Sequence, residues 1–388
     1  MRRAVAFFAA VGVALYLIVA AANTWLPRAH DSDHQADVPA QSVLGGWLNF
    51  DSTWYVDIAD HGYYYEKGQQ SPVAFFPAYP LVMRAVSQVT SSASLAGILV
   101  TVASGAGIAA LWWLWLRDRM EGRARMVAFG ALLLYPYAWF LYGSAYADAF
   151  FILLVLSAFV LADRQRWLLV GVVGGLATAT RPVAPAVIIG LACVALDRSG
   201  VLQRERRTGE RRARFRFDRT KLQPSVTLVL LSASGLVAWC AYLWHRFDDP
   251  FAFLTVQGAP GWNQPAGPHT WFKATFFDLL TGGHPFVLRL IPQALVTVAF
   301  LAIVPAVVKR FGWGYGAYVL VVIGIPALGT GDFQGMGRYA LAAFPAFAVI
   351  GEWIGQRSRT WVVPAFLGAS ATCLATGAAL FATGFYLT

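Results

Sequence analysis

The sequence predicts an all-α polytopic membrane protein with about eleven transmembrane helices. Three observations predict it. Of 388 residues, 58% are hydrophobic and only 13% are charged, where a soluble domain carries about 25% charge. Apolar runs of roughly 20 residues, enough to cross a bilayer as helix, recur along the whole length. Those runs are continuous, not alternating with period two, which argues against a β-barrel.

The net charge of +10 invites a nucleic-acid reading. The basic residues, however, fall in short clusters between apolar spans, the pattern that fixes topology with positive charge inside. Threading the chain with its N-terminus in the cytoplasm and its C-terminus outside puts 22 of the 30 Lys and Arg at cytoplasmic positions. Nucleic acid is therefore not an expected partner; the lipid bilayer is.

Residues 1–388 read as one integral membrane domain. Arg2 and Arg3 precede the first span, about 4–22, which is longer than the core of a signal peptide and is expected to be retained. Residues 26–92 form the first extracytoplasmic loop. Its polar first part carries His30, His34, Asp31, Asp33 and Asp37, which lack tight metal-ligand spacing and read as a solvated loop. In its second part, Trp54, Tyr55 and Ile58 share a helical face, as expected of an interfacial amphipathic helix ending at Gly62.

Further spans are expected at about 95–116, 126–141, 149–162, 167–180, 183–196, 224–244, 286–308, 312–328, 338–354 and 361–386. Those between 149 and 197 are too short for each to cross fully. Residues 198–221, with ten basic and three acidic residues, read as a cytoplasmic loop that touches anionic lipid. Residues 245–285 are a second large outer loop, rich in Gly, Pro, Trp and Phe. Cys193, Cys240 and Cys373 lie in apolar spans with no metal spacing or disulfide framework.

This threading collects Asp51, Tyr146, Asp148, Arg181, Asp248, Asp249, Gln257, Asp332 and Arg338 at the outer face. Ionisable groups at the edges of apolar spans need partners or a wet cavity. Asp51 follows Phe50 and precedes Trp54 and Tyr55; an aromatic floor suits a sugar, and a carboxylate there suits general-base work on a hydroxyl. The same residue also reads as a helix N-cap. Arg181 and Arg338 suit a phosphate clamp, because each planar fork can bind two oxygens, or salt bridges to Asp148 or Asp332. Asp148 competes with Asp51 as base. Asp57 and Asp60 read as solvated acids, and His61 as a helix C-terminal residue.

Five segments together resemble one known family. FDSTWYVDIADHGY with AFFPAYPLVMR, then FLYGSAYADAFFILL, GGLATATRPVA, RFDDPFAFLTVQ and GMGRYALAAFPAF follow the order of motifs in the PIG-V-type mannosyltransferases. They run from about residue 47 to 349. The resemblance implies a GT-C glycosyltransferase fold and an inverting transfer at the extracytoplasmic face. It implies a polyprenyl-phosphate or dolichyl-phosphate sugar as donor, with Asp51 as base. Arg181 and Arg338 match the family's arginines, and stabilising the donor phosphate is the role inferred for them. Tyr146, Asp148, Trp54, Tyr55, Asp249 and Gln257 are the further substrate-binding candidates. Phe50 stands where the family often has Trp, and Ala147-Asp148 where it often has Ser-Glu. The Ala- and Arg-rich composition points to a bacterial, actinobacterial member in the plasma membrane. The acceptor, a lipid-linked glycan, polysaccharide or protein, is left open. No metal or other cofactor is expected.

Two other readings compete. A transporter or flippase for lipid-linked sugars would show inverted repeats and mid-membrane polar groups, and neither is seen in the sequence. A non-catalytic scaffold of the same fold would not need Asp51 and Arg338 to face one cavity.

Overall fold

The computed structural model describes residues 1–29, 38, 42–205, 214–221 and 223–387. The histidine- and aspartate-rich stretch 30–37 weighed above as a metal site lies outside them. The described chain is helical apart from one short antiparallel hairpin, β1 (Leu202–Glu205) with β2 (Arg214–Phe217), pairing Leu202 with Phe217. That hairpin sits in the basic tract expected to be a plain loop.

Among the described residues, five helical segments are long and apolar enough to cross a membrane: Arg2–Trp25, Ala93–Arg117, Pro224–Phe247, Val287–Phe311 and Val362–Ala382. Each falls on one of the eleven expected spans. In chain order, α1 is Arg2–Trp25, α2 Asp51–His61, α3 Ala78–Thr90, α4 Ala93–Arg117 and α5 Gly122–Leu133. Next come α6 (Ala147–Asp163), α7 (Trp167–Thr178) and α8 (Ala184–Arg198). A 3₁₀ stretch, Pro224–Ala233, runs into α9 (Ser234–Phe247). Three short helices follow: α10 (Ala252–Thr255), α11 (Pro268–Trp271) and α12 (Ala274–Thr281). The chain ends with α13 (Val287–Phe311), α14 (Trp313–Gly329), α15 (Met336–Ala340), α16 (Phe344–Gly355) and α17 (Val362–Ala382).

Two expected spans are broken. The segment 126–141 is helix only to Leu133 and then turns through Tyr135-Pro136 into a 3₁₀ turn at Ala138–Leu141. Pro136 lacks the N–H that would continue the helix. The segment 338–354 divides into α15 and α16 at Leu341–Ala343, just before Pro345. A 12-residue helix such as α5 or α16 is ~18 Å long against a ~30 Å hydrocarbon layer.

These short helices pack through small residues, as membrane interfaces do where lipid offers no hydrophobic drive. At the α5–α16 crossing, a Cβ on Gly351 would lie 2.3 Å from the Ala128 Cα. Gly351→Val should therefore force the two helices apart at a cost of about 1–3 kcal/mol, the usual range for overpacking. A thermal-unfolding series in detergent checks it, with an exposed Gly368→Val as control (a Cβ there meets no atom within 4 Å).

The two ends of α6 carry different chemistry. Asp163 pairs with Arg119 and with Arg198 at 2.7 Å, and accepts from the Tyr315 hydroxyl. Asp148, fifteen residues earlier and ~22 Å away along a helix, belongs to a polar cavity at the other end. Between them α6 buries Ile152, Val155, Leu156 and Phe159.

Candidate active site

The cavity has a volume of about 580 Å³. Asp51 lines it from the first residue of α2, where Phe50 enters the helix with φ 56° and ψ −121°. A bulky residue at positive φ is strained and needs neighbours that hold it there. Three supply the restraint. Buried Asn49 donates to the Phe381 carbonyl at 2.9 Å and accepts from Arg28 at 3.2 Å. The Phe50 ring meets Tyr386 and Phe381 edge-on at 4.6 and 5.6 Å. The Tyr146 hydroxyl accepts from the Asp51 backbone N–H at 3.0 Å and donates to the Asn49 carbonyl at 3.2 Å. The chain is thus bolted at the residue before the helix, and the Asp51 carboxylate is left to face the cavity. It does not cap α2, the bland alternative read from sequence.

That carboxylate accepts from Arg338 Nη1 at 2.8 Å. The sequence offered Asp148 or Asp332 as partners for the arginines; the observed partner of Arg338 is Asp51, 287 residues away. Arg338 is itself 10% exposed and Asp51 23%, so the acid is the more accessible member. The Arg338 guanidinium lies over the rings of Tyr146 and Tyr339 at 5.0 and 5.4 Å. Its Nε is buried with no hydrogen-bond partner among the described residues.

The second pair, Asp148 with Arg181, is more deeply sealed, at 2% and 7% exposure. Arg181 also stands over the Tyr339 ring, 4.8 Å from its centre. Pro182, directly after it, stops the polypeptide from continuing as helix through Arg181. Both arginines therefore pack on one tyrosine, and all three line the cavity. Because Asp148 is nearly closed off and already ion-paired, its position suits a counter-ion better than a base.

Trp54, Tyr55 and Gln257 also line the cavity. Trp54 sits one turn past Asp51 on the same face of α2, as the spacing requires. Tyr55, Ile58 and Ala59 are buried, so α2 packs into the protein rather than lying with its apolar side on lipid, as an interfacial helix would. His61 closes α2 and contacts Asp57 at 2.9 Å on an exposed surface. Tyr146 stands behind the wall, not on it.

Asp249 is not brought into the cavity lining. Its carboxylate accepts from the Phe251 N–H at 2.9 Å and from Thr255 Oγ1 at 3.4 Å, opening α10. Asp248 closes α9 with a left-handed φ of 56°. Asp332 accepts from the Gln334 N–H at 3.0 Å, and burial raises its pKa.

Sequence reasoning missed Phe75, Trp262, Gln264, Tyr339 and Tyr386, all of which line the cavity. It also missed Lys273, buried just before α12. The Lys273 ammonium donates to the carbonyls of Ala327 and Thr330, at the C-terminal end of α14, and to Thr270 at 3.3 Å. A lone lysine inside an aromatic outer loop was the available signal. Beside it, Gln264 accepts from the Gly331 N–H. Together they dock the 256–285 segment onto the turn leading to Arg338.

Burial pulls the Lys273 pKa from 10.5 down to about 8. The folded protein thus releases this proton before the unfolded chain does, and stability from this site rises as pH goes from about 8 to 10.5. Lys273→Met should lower the unfolding midpoint, leaving three carbonyls without their donor, and should flatten that pH slope. Thermal unfolding from pH 7 to 10.5 reads both. Among the described residues no group of three His, Cys, Asp or Glu is placed to hold a metal ion.

Comparison with known proteins gives little sequence likeness. No protein-family model matches the chain, and no curated protein does. Among solved structures, the chain resembles an oligosaccharyltransferase from Archaeoglobus fulgidus. The apo form is 14% identical with a TM-score of 0.41. A form tethered by a disulfide to an acceptor peptide containing the NVT sequon is 13% identical with a TM-score of 0.37. Each match covers 97% of this chain and 55% of the other. The chain therefore spans about half the length of that protein.

Proposed function

We propose that this chain is an inverting membrane glycosyltransferase of the GT-C type. It would move a sugar, mannose by the motif resemblance, from a polyprenyl-phosphate donor to an acceptor hydroxyl. The observation that carries the reading is the meeting of Asp51 and Arg338 in one cavity, with Arg181 beside them. A scaffold needs no such convergence.

In this reading the donor phosphate competes with Asp51 for Arg338. Asp51 is released toward the acceptor. The acceptor oxygen attacks the anomeric carbon as its proton passes to the Asp51 carboxylate. The bond from that carbon to the phosphate oxygen breaks on the opposite face, with inversion. Negative charge grows on the leaving phosphate, where fixed cations act most strongly. Arg181, held by Asp148, supplies the second cation. In the proposal the arginines carry the phosphate charge and no metal is invoked.

The basic tract 198–221 continues from α8, whose last residue, Arg198, reaches Asp163. By the positive-inside rule we read that end as cytoplasmic, with the cavity toward the extracytoplasmic side and the plasma membrane as the proposed location. The test is sugar transfer by purified protein in lipid, from a polyprenyl-phosphate-mannose donor to a mixture of lipid-glycan acceptors. Transfer supports the reading. Donor binding with no transfer to any acceptor would favour the scaffold.

A further inference from the structure

We propose that Gln293, a buried residue of α13 outside the cavity lining, is the positioning residue that sets Asp51 and Arg338 in register. The proposal rests on the transferase reading and says how the two halves of that site are held to one another. Gln293 is 1% exposed, within a helix long and apolar enough to span the membrane. A polar side chain there is costly unless its hydrogen bonds are met, and one that is retained generally has a task. Its carboxamide is engaged at both ends. Oε1 accepts from the Gly337 N–H at 3.4 Å. Nε2 donates to the Leu387 carbonyl at 3.1 Å and to the Arg289 carbonyl, one turn back in α13, at 3.4 Å.

Gly337 and Leu387 belong to different segments, and each segment leads to one member of the pair. Gly337 directly precedes Arg338 in the first turn of α15, where backbone N–H groups have no partner within the helix. Leu387 directly follows Tyr386, whose ring meets Phe50 edge-on at 4.6 Å. Phe50 in turn directly precedes Asp51. Arg338 and Tyr386 both line the cavity, and Gln293 acts from behind them. One amide thus joins the turn that carries the cation to the segment that steadies the start of α2. The Asp51–Arg338 contact at 2.8 Å closes the circuit on the cavity side.

Both ends of the tie are firm. A Cβ on Gly337 would lie 2.4 Å from the Tyr137 ring, so the turn has no room to move toward that ring. On the other side, the Arg289 guanidinium lies over the Phe385 ring at 5.5 Å. The chemistry of the tie needs a donor and an acceptor on one side chain, which an amide has. Methionine is of similar length but has no donor and only a weak acceptor. Transfer between two bound substrates depends on placement, and a 1 Å error caused from a distance can cost ~10²-fold in rate.

The test compares wild type with Gln293→Met in nanodiscs by two readouts. The first needs no turnover: 3-fluorotyrosine is placed by amber suppression at Tyr386 or, as a control beside Asp163, at Tyr315, and fluorine NMR is recorded. In Gln293→Met the Tyr386 resonance should move by more than its linewidth while that of Tyr315 stays in place. The second is transfer from polyprenyl-phosphate-mannose, where kcat should fall ~10–100-fold as placement is lost. Donor and acceptor KM should change less than about 3-fold, because no side chain of the cavity lining is altered. Should Gln293→Met fail to fold, Gln293→Asn, one methylene too short to span both partners, carries the same expectations. An unmoved Tyr386 resonance, equal movement at both probes, an unchanged kcat, or a loss confined to KM would overturn the proposal. A wild type that transfers no sugar, with a Tyr386 resonance that still answers to Gln293→Met, would sink the transferase reading and leave the tie standing.

Discussion

Asp51→Asn is expected to cut sugar transfer at least ~100-fold with the protein still folded. General-base catalysis is worth roughly 10²–10⁴ in rate, and an amide cannot take the proton. Asparagine keeps the size of the side chain. The helix start is held by Asn49, Phe50 and Tyr146 through backbone and ring contacts that the substitution does not touch. Donor KM should change less than kcat, or fall, because Arg338 no longer has a carboxylate competing with the phosphate. Single-turnover transfer with saturating donor, beside a thermal-unfolding control, separates the two effects. Full activity in Asp51→Asn would remove the base from this position. Asp148 is then a poor substitute, since it is nearly sealed and already paired.

Arg181→Met is the second large effect, and it falls on stability as well as activity. Removing one partner of a buried pair leaves the other charge uncompensated, at a cost of about 3–5 kcal/mol. Asp148, at 2% exposure, has little water to turn to. The double variant Arg181→Met/Asp148→Leu removes both charges, and replacing a buried pair by apolar groups is often neutral or stabilising. We expect the single variant to lose most of its folded yield and the double variant to recover it. The double variant should nonetheless transfer sugar ~10²–10³-fold more slowly, the usual effect of removing one charge-stabilising donor. A double variant that folds and transfers normally would reduce Arg181 to a structural counter-ion.

The readable parts of this chain were those governed by local chemistry. Apolar runs gave helix positions, and Asp51 and Gly62 marked the limits of α2 because charge and a left-handed glycine end helices in known ways. Arg181 and Arg338 stood out because charge beside apolar sequence needs a reason. What could not be read was pairing. Arg338 with Asp51, and Arg181 with Asp148, are choices among several acids at one face, and only packing decides them. Trp262 and Phe75 looked like ordinary loop aromatics until two outer loops were set together. Asp249 lies outside the cavity lining, and its carboxylate bonds at a helix start as Asp side chains do in turns. Helix limits inside the apolar runs were also not readable, because length along the sequence does not say where proline will break a helix, as at Pro136.

The 287-residue separation between Asp51 and Arg338 also sets an order of events during synthesis. At ~5–20 residues per second, roughly 15–60 s pass between the appearance of the acid and that of its partner at the ribosome. Asn49 waits longer still for the end of α17. The first half of the protein can enter the membrane, but it cannot make the centre. Fragments released early would carry a carboxylate with no counter-charge and a loop with nothing to bolt to. Completion of α17 is thus the step that brings in the last of the contacts that fix the start of α2.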